Sequence, residues 1–273
     1  MNDVLFAFLL TVVAGLATGI GGLVVLFFKV ENKKFLSICL SFSAGVMIYI
    51  VFAEIFLEAF ESLEYAYGDG VGYLILTMSF FAGIALMAII DRFIPGDESH
   101  TEMLDTMSEQ EKALYKEKRE LKRTGISSTI AIAIHNFPEG LITFMAALYD
   151  PAMGIAIAIA VIIHNVPEGI AMAAPIYYAT GSKTKAFLVS VSAGLTEPLG
   201  ALIAWLIFRN IFDDFDGAFG IVFAAVGGIM VFVAIHQLLP AAQKYGKHHL
   251  VMKWLFAGMA VMAASLVALE FVF

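Results

Sequence analysis

Residues 130–174 read "IAIAIHNFPEGLITFMAALYDPAMGIAIAIAVIIHNVPEGIAMAA". This stretch holds two apolar runs, and each run carries the same polar motif, HNFPEG from His135 and HNVPEG from His164. A transmembrane helix needs about 20 mostly apolar residues, and each run with its flanks is long enough. Because backbone groups in lipid must be satisfied within the segment, such runs favour helices. The stretch therefore predicts two consecutive transmembrane helices, each with polar residues near its middle.

The composition of the whole chain agrees with a membrane protein. Of its 273 residues, 60% are hydrophobic and 15% are charged, more apolar surface than a soluble domain of this size could cover. The net charge of −8 does not indicate a nucleic-acid partner, which would need a basic face. The single cysteine, Cys39, excludes an intrachain disulfide and any CxxC motif.

Eight apolar segments are long enough to span a membrane, so we predict an all-α polytopic protein that forms one domain, 1–273. The limits of the eight apolar segments are 4–28, 35–57, 70–90, 126–149, 152–179, 186–208, 218–242 and 254–272. Short alternating strands, the mark of a membrane β-barrel, do not occur in these runs. The first segment lacks a positive n-region and a small-residue cleavage site, so we interpret it as a span and not as a signal peptide. Its glycines, among them Gly15, Gly19 and Gly22, allow close helix packing, either within a scaffold or at a dimer surface.

The distribution of Lys and Arg predicts the orientation in the membrane. With both termini outside, the inner connections 29–34, 91–125, 180–185 and 243–253 hold three, seven, two and three Lys or Arg. Only Arg209 falls elsewhere. The predicted outer connections are acidic and carry Glu58, Glu61, Glu64, Asp69, Asp150, Asp213, Asp214 and Asp216. We therefore expect a multi-pass protein of the cell membrane with extracytoplasmic termini.

The segment 91–125 is the only long connection. We interpret it as a cytoplasmic loop between spans three and four. Its stretch "SEQEKALYKEKRELKRTG" is typical of a solvated helix. This helix would begin with a capping box from Ser108 to Glu111.

Ionisable side chains within a span are costly, so each one suggests a function. Both motifs and Glu197 of span six fall near the midpoints of their spans, at about residues 137, 165 and 197. His135 and Glu139 are four residues apart, as are His164 and Glu168, so each pair shares a helix face. Pro138, Pro167 and Pro198 should kink the three helices there and free a backbone carbonyl. Three kinked helices thus bring carboxylates to one level.

Three unpaired carboxylates at one level would repel one another and take up protons, and a divalent cation removes this problem. His135, Glu139, His164 and Glu168 form an N2O2 set that suits zinc. Asn136, Asn165, Glu197 and the remaining oxygens of the two motif glutamates form an oxygen set that suits a second, harder cation. The motif glutamates could bridge the two.

Two further residues of the spans are candidates for a pathway. Glu54 lies near the outer end of span two and His236 near the inner end of span seven. They could line an entrance and an exit, or each could only form a hydrogen bond across the bundle. Glu270, at the outer edge of span eight, is close to water and is set aside.

The motif pair resembles that of the ZIP (Zrt/Irt-like) family of divalent metal transporters, and most closely its bacterial zinc-uptake members. The resemblance extends to "FSAGVMIYIVFAEI" in span two and "AAPIYYATGSK" after the second motif. It implies a helical bundle of 3+2+3 arrangement, usually a homodimer, with a binuclear site between spans four and five. By the same resemblance, the zinc-preferring site takes Glu139, His164 and Glu168 with His135 beside them. The second site takes Asn136, Glu139, Asn165, Glu168 and Glu197.

Two features depart from that family's pattern. Segment 91–125 offers only His100 where many relatives have several histidines, although His248 and His249 lie in another inner connection. Span seven contains "AIHQLLP" where some bacterial relatives have acidic residues, which affects the exit or the metal preference.

We therefore expect uptake of Zn²⁺, and also of Fe²⁺ and similar dications, by alternating access in which the site moves relative to a static helix unit. The chain should need no prosthetic group and have no catalytic residues. There are two alternative functions. An intramembrane metalloenzyme is disfavoured because HExxH and Glu-x-x-His signatures are absent from the sequence. A metal-gated channel or a metal sensor is the other alternative function, and the sequence does not disfavour it.

Overall fold

The computed structural model describes residues 3–27, 33–93, 109–208 and 215–271, and these ranges are helical with no β-strand. The helices are α1 (Asp3–Phe27), α2 (Lys33–Ile50), α3 (Phe56–Tyr67), α4 (Asp69–Asp91), α5 (Glu109–Tyr149), α6 (Pro151–Thr180), α7 (Lys183–Gly194), α8 (Thr196–Phe208), α9 (Phe215–Phe232), α10 (Leu239–Tyr245) and α11 (His248–Glu270). Two π-helical segments, Val51–Ile55 and Val233–Leu238, join α2 to α3 and α9 to α10.

Seven helical stretches in these ranges are long and apolar enough to cross a membrane. They correspond to predicted spans one, two, three, five, six, seven and eight. The fourth predicted span, 126–149, is the C-terminal part of α5 and is not among the seven. The prediction of an all-helical, multi-pass membrane protein is therefore confirmed.

The charged helix expected in the connection 91–125 is not separate from span four. Helix α5 begins at Glu109 and continues without a break through residue 126 to Tyr149. Glu, Lys, Arg and Leu, which make up most of the charged part, are all strong helix formers, so nothing there ends the helix before the apolar run begins. His100 and the proposed cap Ser108 lie outside the described residues, as do Arg209, Asp213 and Asp214.

Span two is longer than predicted. It continues beyond residue 57 to Tyr67, so Glu58, Glu61 and Glu64 lie on helix α3 and not in a connection. The reason is that α3 is amphipathic, since its buried face, which includes Ala59 and Leu63, packs against α9 while the acids lie outside the core.

Span six, predicted as one helix, is broken at Leu195 between α7 and α8. Pro198 has no N–H for the carbonyl of Gly194 and its ring crowds that carbonyl, so the break falls just before the proline. Helices α5 and α6, in contrast, continue through Pro138 and Pro167.

The helices pack as two groups. Helices α1, α5, α6, α7 and α8, which carry both motifs and Glu197, pack mainly on one another and are called the motif group. The other helices and the two π segments form the flanking group, in which α2 packs on α11 and α4 on α9. Between the groups, the most extensive contact in the described ranges is α2 against α6.

Glycines bring helices into backbone contact inside each group. In the motif group, a Cβ on Gly15 would strike the carbonyl of Gly194, and a Cβ on Gly194 would strike that of Gly15. In the flanking group, Gly45 and Gly258 meet carbonyls of the facing helix in the same way. None of the glycine contacts found in the described residues crosses between the groups. The glycines of span one therefore fasten α1 into the motif group, which the sequence left undecided.

Candidate metal-binding site

A tight hairpin brings the two motifs to one level. Asp150 separates α5 from α6 and caps α6, because its Oδ1 accepts from the backbone N–H groups of Ala152 (2.6 Å) and Met153 (3.0 Å). Pro151 at the first helical position suits this start. His135 lies 15 residues before Asp150 and His164 lies 14 after it. At 1.5 Å per residue, both lie about 22 Å from the turn, as the shared depth in the sequence predicted.

All seven predicted ligands are completely buried, with no solvent-accessible surface on His135, Asn136, Glu139, His164, Asn165, Glu168 or Glu197. The imidazoles and carboxylates of the motifs face each other across α5 and α6. His135 Nε2 lies 3.0 Å from Glu168 Oε2 and forms a hydrogen bond with it. His164 Nε2 lies 3.3 Å from Glu139 Oε1, within ion-pair reach but without hydrogen-bond geometry. Each motif therefore pairs with the other one.

The two asparagines direct their amide groups away from the carboxylates of the motifs. Asn165 Nδ2 donates to the carbonyl of Ala14 at 3.0 Å and to Glu197 Oε1 at 2.6 Å. Asn136 Nδ2 donates to the carbonyl of Ala193 at a longer 3.4 Å. These bonds fix the amide orientations, so that the acceptor Oδ1 of each asparagine is the atom left for a ligand.

Glu197 reaches the site because span six is broken. It lies in the first turn of α8, where the free N–H groups of a helix start favour negative charge. Gly140 of the first motif packs against the backbone of Glu197, and Gly200 packs against the carbonyl of Phe137, so α5 and α8 are in backbone contact at this point. Only glycine allows that approach, because a Cβ at either position would overlap a carbonyl oxygen.

Buried oxygen atoms without a hydrogen-bond partner are concentrated at this point. Of the seven such atoms found in the described residues, five lie here, namely Asn136 Oδ1, Asn165 Oδ1, Glu197 Oε2 and both carboxylate oxygens of Glu139, and the other two are Thr18 Oγ1 and Gln237 Oε1. Buried acceptors are nearly always satisfied, because an unsatisfied one costs about 1–3 kcal/mol. A set of acceptors with no facing donor is suited to a cation. The two imidazoles add nitrogen ligands of the kind zinc accepts.

The motif residues are not arranged in advance as a closed metal shell. Among the described residues, no group of three or more His, Cys, Asp or Glu side chains has that arrangement. The His135–Glu168 and His164–Glu139 pairs hold the charged groups across the helices instead. Binding of a cation would therefore require these pairs to open and their side chains to turn towards a common point.

Sequence reasoning missed one residue at the site, Ser43 of α2. Its hydroxyl is completely buried and donates to Glu168 Oε1 at 2.8 Å. Serine is common in membrane helices, where it usually bonds its own backbone. Its presence in an apolar span therefore gave no signal of this contact.

Glu54 lines a cavity of about 330 Å³. Glu58, Tyr149, Asp150 and Leu269 also line it. Tyr149, Asp150 and Leu269 lie at or beside the ends of their helices, whereas Glu54 lies inside span two, which continues to Tyr67. The cavity agrees with the hypothesis that Glu54 belongs to an entrance.

His236 forms a contact within the flanking group. Its Nε2 lies 3.2 Å from Asp91 Oδ2, and the neighbouring Gln237 donates to Asp91 Oδ1 at 2.9 Å. Asp91 thus joins the end of α4 to the π segment Val233–Leu238. This contact is of the kind that the alternative hypothesis for His236 expects, a hydrogen bond across the bundle. The His236 side chain is nevertheless 57% exposed and therefore accessible. Both Glu54 and His236 lie in π segments, which occur frequently at functional sites.

The chain is similar to known proteins over nearly its whole length. The family model described as ZIP Zinc transporter matches residues 4–266. The chain is 51% identical to the Zinc transporter ZupT of Clostridium perfringens, with 97% of this chain and 96% of the relative covered. It is also 51% identical to the Zinc transporter ZupT of Chlorobium chlorochromatii and 49% to that of Chlorobaculum parvum, with 97% of this chain and 98% of each relative covered. The chain therefore belongs to the ZIP family of zinc transporters.

Proposed function

We propose that this protein carries Zn²⁺, and also Fe²⁺ and similar dications, across the cell membrane into the cytoplasm through a binuclear site at the two motifs. The observation that carries the proposal is the set of buried oxygens of Asn136, Glu139, Asn165 and Glu197 that have no hydrogen bond, together with the two buried imidazoles of the same motifs. The names of the relatives, which are zinc transporters, support the choice of zinc.

Two overlapping ligand sets explain how one site would accept different cations. Zinc would take nitrogen from the histidines and oxygen from Glu139 and Glu168. A harder cation such as Fe²⁺ would take the amide oxygens of Asn136 and Asn165 together with Glu197 and the motif glutamates. Because Glu139 and Glu168 belong to both sets, they would bridge the two cations.

The orientation follows from the charge distribution. We propose eight spans with α5 supplying the fourth, both termini outside, and the connection 91–125 in the cytoplasm. In this orientation the cavity beside Glu54 opens on the outside, where its carboxylates would attract cations before they enter.

Alternating access is supported by the packing of the two helix groups. Each group has backbone contacts at glycines inside it, whereas none of the glycine contacts found in the described residues crosses the boundary. An apolar cavity of about 570 Å³ lies on this boundary, lined by Leu86, Ile90 and Ile229 from the flanking group and by Ile134 and Phe137 from the motif group. We propose that the motif group carries the site past the flanking group.

Zinc flux into proteoliposomes that contain a zinc-sensitive dye tests this function. The wild type should show saturable influx that Fe²⁺ inhibits competitively, and Glu139→Ala should abolish it. Glu61→Ala, which removes an exposed carboxylate of α3, is the matched control and should transport normally. A wild type without saturable flux, or one that hydrolyses a peptide or lipid instead, would refute the proposal in favour of a sensor or an enzyme.

A further inference from the structure

We propose that Ser43 is a positioning residue that holds Glu168 from across the boundary between the two helix groups and restrains their relative movement. This inference rests on the proposed function, because it assumes that Glu168 binds the transported cation and that the groups move.

The first support is the environment of Glu168. Both of its oxygens have partners, and these come from different helix groups. Oε2 pairs with His135 of the motif group at 3.0 Å, and Oε1 accepts from Ser43 of the flanking group at 2.8 Å. All three side chains are completely buried. The carboxylate is therefore held between a partner that moves with it and a partner that does not.

The second support is the character of the boundary around Ser43. Here α2 packs against α6, and Cys39, one turn before Ser43, belongs to an apolar cluster with Ile170 and Ala173 of α6. Apolar contacts of this kind have no fixed direction and can slide. The Ser43–Glu168 hydrogen bond is directional and must break when α6 shifts along α2.

The third support is that Ser43 can release Glu168 without leaving its hydroxyl unsatisfied. Ser41 on the same helix shows the alternative, because its hydroxyl donates to the carbonyl of Ser37, four residues earlier, at 2.7 Å. Ser43 can turn to the carbonyl of Cys39 in the same way. The hydroxyl therefore has two satisfied states, one joined to the motif group and one separate from it.

The chain provides its own reporter for movement at this boundary. Cys39 is the single cysteine, and its side chain is buried between α2 and α6. A thiol reagent such as N-ethylmaleimide should react with it only when the groups separate or slide. The rate of labelling in the purified, metal-free protein therefore reports how often the boundary opens, whether or not the protein transports zinc.

Ser43→Ala should raise the labelling rate of Cys39 about tenfold, as expected when a hydrogen bond to a charged group is lost. Ser41→Ala is the matched control, because it removes a buried hydroxyl from the same helix whose bonds stay within α2. Its labelling rate should equal that of the wild type. Equal rates for Ser43→Ala and Ser41→Ala would overturn the proposal.

Transport kinetics give a second, separate measurement. In proteoliposomes, Ser43→Ala should raise the KM for zinc about tenfold, because Glu168 loses its support, while the maximal rate per folded protein should not fall. A variant that merely folds poorly would lose maximal rate per total protein at an unchanged KM, and an unchanged KM would contradict a positioning role. If the wild type carried no zinc, the proposed function would fail, whereas the labelling rates would still decide whether Ser43 restrains the boundary.

Discussion

The two motif copies have nearly the same sequence, but their glutamates have different surroundings. Glu168 of the second copy is held at both oxygens, by His135 and by Ser43. Glu139 of the first copy has no hydrogen bond to either oxygen and lies 3.3 Å from His164. The same residues at the same depth thus form one constrained and one unconstrained carboxylate.

The difference comes from the helices that surround each copy. Helix α6 is enclosed by α1 and α2, so polar groups of both meet the second motif, including the carbonyl of Ala14 and the hydroxyl of Ser43. Helix α5 packs mainly on α6 and α8, and α8 offers the first motif its backbone at Glu197. We infer that Glu139 is the more available ligand and that Glu168 is the one whose release is controlled.

The largest expected effect is the same for the glutamates of both motif copies. Glu139→Ala and Glu168→Ala should each abolish zinc uptake, because each carboxylate belongs to both proposed ligand sets. Uptake of zinc by cells that lack their own importers, corrected for the amount of protein in the membrane, measures this. Wild-type uptake by either variant would show that its carboxylate does not bridge the two cations.

The thermal stability of the metal-free protein should differ between variants of the two motif glutamates. Glu168→Ala leaves His135 and Ser43 without their carboxylate, and breaking such a buried pair costs about 3–5 kcal/mol. Glu139→Ala removes a carboxylate whose ion pair with His164, at 3.3 Å, has no hydrogen bond, so it should cost less. Thermal unfolding in detergent with a chelator should therefore show a larger loss of Tm for Glu168→Ala than for Glu139→Ala. Equal losses of Tm would mean that the two carboxylates are equally supported.

Variants of the two asparagines should differ less than variants of the two glutamates, and the variant of the second motif should again show the larger effect. Asn165→Ala removes bonds to Ala14 and Glu197, whereas Asn136→Ala removes a single long bond. We expect Asn165→Ala to weaken inhibition of zinc uptake by Fe²⁺ about tenfold, the effect of a lost hydrogen bond to a charged group, and Asn136→Ala to weaken it less. Competition assays at fixed zinc measure both. A larger effect for Asn136→Ala would contradict the conclusion that hydrogen bonds hold the second motif more firmly than the first.

Several of these features were predictable from residue spacing. The positions of His135 and His164 around Asp150 predict their shared depth, because the rise per residue of a helix is fixed. The burial of the seven predicted ligands and the membrane-spanning fold follow from the same apolar runs. The pairing of His135 with Glu168, and of His164 with Glu139, could not be predicted, because spacing within one helix does not determine the rotation of its neighbour.

Other features depended on contacts that a linear sequence does not display. Pro138, Pro167 and Pro198 look alike in sequence, but only the last lies beside a helix break, at Leu195. The continuation of the charged part of α5 into span four was missed, because a charged helix can pass into an apolar one without a stop signal. The role of Ser43 depends on which helix faces α2, and that is a property of the whole bundle.

The most direct test of the central claim is X-ray absorption at the zinc edge of the purified protein loaded with one equivalent of zinc. The account predicts nitrogen and oxygen neighbours at about 2.0–2.1 Å, with imidazole scattering that disappears in the double variant His135→Ala/His164→Ala. Imidazole scattering that persists unchanged in the double variant would show that zinc binds at other histidines and would contradict the assignment of the motifs as its site.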